Sequence, residues 1–85
     1  MVQSQLNFRE RPSPDKLFTP DTQNYKLYER LLQQGEITNG EIIYGMRIAN
    51  STGRIDDIRK ALKPYLITIE ASRIKRGLWK YELKG

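Results

Sequence analysis

The sequence predicts an α+β fold, mainly α, of three helices followed by a C-terminal β-hairpin. Three observations carry it. Between residues 21 and 63 apolar side chains recur at spacings of three and four, in runs that open on capping residues. Pro64 then closes the helical part, because the residue before a proline is disfavoured in the α region. Beyond it, apolar and polar residues alternate strictly in two short runs, the pattern of half-buried strands.

Residues 1–20 precede this body. Pro12, Pro14 and Pro20 stand among charged residues there, which discourages both helix and central strand and predicts an extended N-terminal arm. Leu6, Phe8, Leu17 and Phe18 are expected to tack parts of it onto the domain formed by residues 21–85. The first helix is expected to start at Asp21 or Thr22 and stop at Gly35, with Tyr25, Tyr28, Leu31 and Leu32 as its apolar stripe. Glu36-Ile37-Thr38 suits a short extended segment. Thr38 or Asn39 then caps a second helix of about two turns, buried through Ile42, Ile43 and Met46. From Ser51 or Thr52 a third helix places Ile55, Ile58 and Leu62 on one face. In the hairpin Ile67, Ile69 and Ala71 alternate with polar residues, as do Trp79, Tyr81 and Leu83. A five-residue basic loop, 73–77, joins the strands, with Gly77 suited to a positive φ angle.

Eighty-five residues make one small domain, whose core must be carefully filled. Five Tyr, two Phe and one Trp are expected to dominate it, each buried aromatic removing roughly 150–250 Å² from water. Neither Cys nor His is present, which excludes a disulfide framework, a thiolate or His-based metal site, and a Ser-His-Asp or Cys-His catalytic arrangement. No Gly-rich phosphate loop or paired-carboxylate pocket is evident, so a non-enzymatic protein without cofactor or metal is expected. No apolar run reaches the roughly 20 residues a membrane span requires, and the polar start does not resemble a signal peptide. The expected location is the cytoplasm of a bacterial or phage-infected cell.

The formal net charge of +5 is unevenly spread. Residues 1–53 hold six Lys/Arg and six Asp/Glu, whereas residues 54–85 hold nine Lys/Arg against four acids. Helix, short strand, helix, turn, helix and hairpin is the order of a winged helix, in which the second member of a helix-turn-helix lies in the DNA major groove. Double-stranded DNA is therefore the expected partner. On the third helix Asn50, Ser51, Thr52, Arg54, Arg59 and Lys60 are the candidate contacts; Ser51 or Thr52 serves equally as a helix cap, and Arg54 as a brace on Asp57. Asp56 and Asp57 oppose close approach to phosphates unless cations neutralise them, and Asp56 is placed to pair with Lys60. On the hairpin Arg73, Lys75, Arg76 and Lys80 are candidate phosphate contacts, the alternative being a tip kept soluble by its charge. The rival to DNA binding is a protein-interaction or dimerisation module of the same fold. A homodimer would double the contacts, although no heptad seam marks one.

Three segments, Gly35-Glu36-Ile37-Thr38-Asn39, Thr52-Gly53-Arg54-Ile55-Asp56-Asp57-Ile58-Arg59-Lys60 and Tyr81-Glu82-Leu83, resemble small phage and prophage helix-turn-helix proteins. The likeness runs from Tyr25 to Leu83. It implies that Arg54 and Arg59 are the arginines of the third helix, and that Arg73, Lys75 and Arg76 are wing positions. It further implies a regulator or an accessory factor of DNA transactions. Lys63-Pro64-Tyr65 departs from the glycine-aromatic step expected of that family.

Overall fold

Proline at the first position of a helix costs nothing, because its missing N–H is not needed there and its φ is already helical. Pro14 exploits this. The computed structural model describes residues 11–85, and its first element is a single turn, α1 (Pro14–Leu17). This corrects the expectation of extended chain through residue 20. The described part of the arm is also tied down: Tyr28 donates from its hydroxyl to the Pro12 carbonyl at 2.8 Å, and the Phe18 ring meets Tyr28 edge-on at 6.0 Å. Leu17 and Phe18 pack against the core as expected, while Leu6 and Phe8 lie outside the described residues.

Thr22 caps α2 (Gln23–Gln34) by accepting from the Tyr25 amide at 3.2 Å, and Gly35 ends it at φ 82°. Only glycine takes that angle without strain. The buried stripe is Leu27, Tyr28 and Leu31, with Leu32 partly buried. Tyr25, expected in it, lies half-exposed and donates to Asp15 at 3.1 Å, a bond that raises its pKa.

After β1 (Glu36–Thr38), Thr38 accepts from the Glu41 amide at 3.1 Å and starts the second helix. Its main body is π-helical, Glu41–Gly45, rather than the expected α-helix. Met46 donates to the carbonyl of Glu41, and Ile48 to that of Ile42, both at 3.0 Å. These wide turns let Ile48 reach the core, and Arg47, at φ 60°, redirects the chain towards the next helix.

The next helix, α3 (Ser51–Leu62), is capped by Asn50, which accepts from the Gly53 amide at 3.1 Å. The expected caps Ser51 and Thr52 already lie inside the helix. A Cβ on Gly53 would collide with the Asn50 side chain, so the cap depends on glycine there. Ile55, Ile58 and Leu62 are buried as their spacing predicts. A 3-10 turn, Lys63–Tyr65, carries the chain past Pro64 into the hairpin strands β2 (Thr68–Lys75) and β3 (Leu78–Lys84).

The three strands form one antiparallel sheet in the order β1-β3-β2, with Ile37 opposite Tyr81 and Ile69 opposite Leu83. A two-residue turn, Arg76-Gly77, joins β2 to β3 in place of the expected five-residue loop, with Gly77 at φ 78°. Arg73 and Lys75 therefore belong to β2, where a bulge between them shifts the register. Among the described residues the core between helices and sheet is mainly aliphatic, with eleven buried Ile and Leu residues and two buried aromatics, Tyr28 and Tyr81. This corrects the aromatic core expected from composition, since Tyr44 is 83% and Trp79 39% exposed.

Candidate nucleic-acid interface

Side chains alternate across a strand, so the register decides which hairpin residues look towards α3. Ile69, Ala71 and Arg73 lie opposite Leu83, Tyr81 and Trp79 on the helix side. On the outer side Glu36, Glu82 and Glu70 form a cross-strand row. Lys80 belongs to that outer side and approaches Glu36 at 3.7 Å and Glu82 at 3.9 Å, while Lys84 approaches Glu82 at 3.7 Å. Of the four hairpin cations singled out by sequence, Lys80 is thus turned away from α3 and neutralised. Arg73, Lys75 and Arg76 are exposed and make no ion pair among the described residues.

The helix candidates divide in the same way. Asn50 is spent as a cap, and Ser51, only 7% exposed, is withdrawn from the surface because the first turn of α3 packs inwards. Arg54 approaches Asp57 at 3.5 Å, and Asp57 also accepts from Asn24 of α2 at 3.4 Å. The buried Nε of Arg54 finds no partner among the described residues. Asp57 therefore links α3 to α2 through Asn24 while facing Arg54 of its own helix. Arg59 donates from Nε to the Ile69 carbonyl at 2.9 Å. Leu83 directs its own amide towards Gly35, so the backbone of its cross-strand partner Ile69 points to the free edge of β2. Arg59 thereby covers an edge acceptor and pins α3 to the sheet. Lys60 pairs with Asp56 at 3.4 Å, but both are well exposed, and such a pair is worth only about 0.3–0.5 kcal/mol. Thr52 remains exposed.

Between α3 and the hairpin runs a groove of about 480 Å³, walled by Thr52, Ile55 and Arg59 on one side and Ala71, Trp79 and Tyr81 on the other. Asn39 closes its end. Its amide donates to the Gly77 carbonyl at 3.1 Å, and its carbonyl oxygen accepts from the Trp79 amide at 3.0 Å. One side chain thus ties the hairpin turn to the start of the second helix. Asn39, expected as an alternative cap of the second helix, instead binds the hairpin, and Trp79, expected as an inward strand residue, stands 39% exposed. The alternation of β3 does place Trp79 on the inner face, but nothing local in sequence reveals that it passes the end of the core. Asn39 has partners 38 and 40 residues away, beyond any local pattern.

Among the described residues no helix is long and apolar enough to cross a membrane, and no cluster of acids forms a metal site. No family model, curated protein or solved structure matches the chain.

Proposed function

We propose that the chain is a non-enzymatic winged-helix protein that binds duplex DNA, with the exposed side of α3 in the major groove and the hairpin tip on adjacent phosphates. The observation that carries this reading is the tip itself. Arg73 and Lys75 at the end of β2 and Arg76 in the adjoining turn have no ion-pair partner among the described residues, and Asn39 ties that turn to the helical body. Cations not committed to internal pairs gain most from replacing the counterions of a phosphate backbone. The pairing of Asp56 with Lys60 and of Asp57 with Arg54 removes the main electrostatic objection to a nearby duplex. A short strand joined to a hairpin beside two linked helices supports the winged-helix reading. We read the role as that of a phage- or prophage-type regulator or DNA-transaction accessory factor, working in the cytoplasm of a bacterial or phage-infected cell.

The test is titration of labelled duplex DNA at several salt concentrations. Low-salt binding is expected, with affinity falling steeply as salt rises, and replacing Arg73, Lys75 and Arg76 by Ala lowers the log–log salt slope by about 2–3. Absence of low-salt binding, or a triple variant indistinguishable from the parent, refutes the reading. One observation favours a protein-interaction module instead: Leu66 is 68% exposed, with Tyr65 at 39% beside it. Partners that survive nuclease treatment in a pull-down would support that alternative.

A further inference from the structure

Trp79 shares a face with the buried Tyr81 and Leu83, yet it is 39% exposed and forms part of the groove wall beside α3. An indole left at the surface loses the benefit of burial unless something covers it. The other groove residues indicate what. None of them carries a carboxylate. Arg59 has only its Nε engaged; its two terminal amino groups make no hydrogen bond or ion pair among the described residues, and the bond to Ile69 fixes the plane in which they lie. Thr52 stands exposed on the same wall, and Arg73 lies directly across the strand pair from Trp79. Donors and cations line the rim, while Ile55, Ala71 and Tyr81 make an apolar floor.

A sugar–phosphate strand has that same two-sided character, with anionic oxygens on one side and the C–H face of deoxyribose on the other. We infer that this groove seats one backbone strand of the duplex, a phosphate on the Arg59 amino groups and the Thr52 hydroxyl, and its sugar against the Trp79 indole. The inference rests on the proposed DNA binding: with α3 in one groove of the duplex and the hairpin beyond its edge, a backbone strand is what passes between them. Asn39 gives the seat its rigidity, since it joins the Trp79 amide and the turn to the helical body. Arg59 is then both a brace and a phosphate ligand, through different nitrogens.

Trp79 is the sole tryptophan, so emission from the full chain reports on the groove directly. The experiment titrates the protein with a 20-base-pair duplex of mixed sequence at low salt, following Trp emission and electrophoretic mobility together. Emission is expected to change in step with complex formation. Trp79→Ala is expected to bind about fivefold more weakly with the parent's salt slope, because an apolar contact rather than a charge is lost, while Trp79→Phe keeps most of the affinity. Thermal unfolding of both variants checks that they fold. If the duplex binds with full salt dependence while emission stays constant and Trp79→Ala matches the parent, the groove assignment is overturned and DNA binding stands. If no duplex binds, both fall together.

Discussion

The tip and helix-facing side of the C-terminal hairpin differ from its outer side in what surrounds their cations. At the tip and on the inner side Arg73, Lys75 and Arg76 have no acidic partner among the described residues. On the outer side Lys80 and Lys84 sit beside the row of Glu36, Glu82 and Glu70. Identical residue types therefore have different uses. Inner and tip cations are available to an external anion, whereas outer cations relieve repulsion between glutamates held directly across from one another. A charge total along the chain registers both as basic, and only the strand register separates them.

The contrast would break most visibly if the tip lost its anchor. Asn39→Ala removes two hydrogen bonds, each worth about 1 kcal/mol net, without changing any charge. It is expected to weaken duplex binding several-fold and to speed amide exchange at Gly77 and Trp79, measured by titration and hydrogen exchange. Unchanged affinity alongside faster exchange would mean that the cations act without a fixed position. A smaller effect is expected in the helical body, which carries a pH-sensitive contribution to stability. Burial pushes the Tyr28 hydroxyl up from 10.0 to about 12, with Arg11 acting in the opposite direction. The folded state retains this proton longer than the unfolded chain, so the contribution is fully present below pH 10 and is lost as pH rises towards 12. Urea unfolding across that window should show a decline in the parent that is reduced in Tyr28→Phe, and an equal decline in both would contradict it.

Much of the architecture was legible because it rests on local pattern. The spacing of Ile55, Ile58 and Leu62 defined α3, and Pro64 marked its end. The alternation around Ile69 and Tyr81 defined the strands. What escaped depends on partners distant in sequence. A three-residue strand such as β1 acquires its meaning only from Tyr81, and Arg59 is recognisable as a brace only once the free edge of β2 lies beside it. The brace on Asp57 that sequence offered for Arg54 is present at 3.5 Å, but the second partner of that carboxylate, Asn24 of α2, lies 33 residues away and leaves no local pattern. Composition misled about the core because it counts aromatics without locating them: Tyr44 and Trp79 are exposed, and isoleucines occupy the interior.

Two charge-matched double variants separate the hairpin's two sides. Arg73→Ala/Arg76→Ala and Lys80→Ala/Lys84→Ala each remove two positive charges, and the salt dependence of duplex binding would be measured for both. The first pair is expected to lower the log–log slope by about two, while the second leaves slope and affinity near the parent's. Equal losses from the two pairs would show that net charge, rather than the arrangement of the hairpin's two sides, governs binding, and would contradict this expectation.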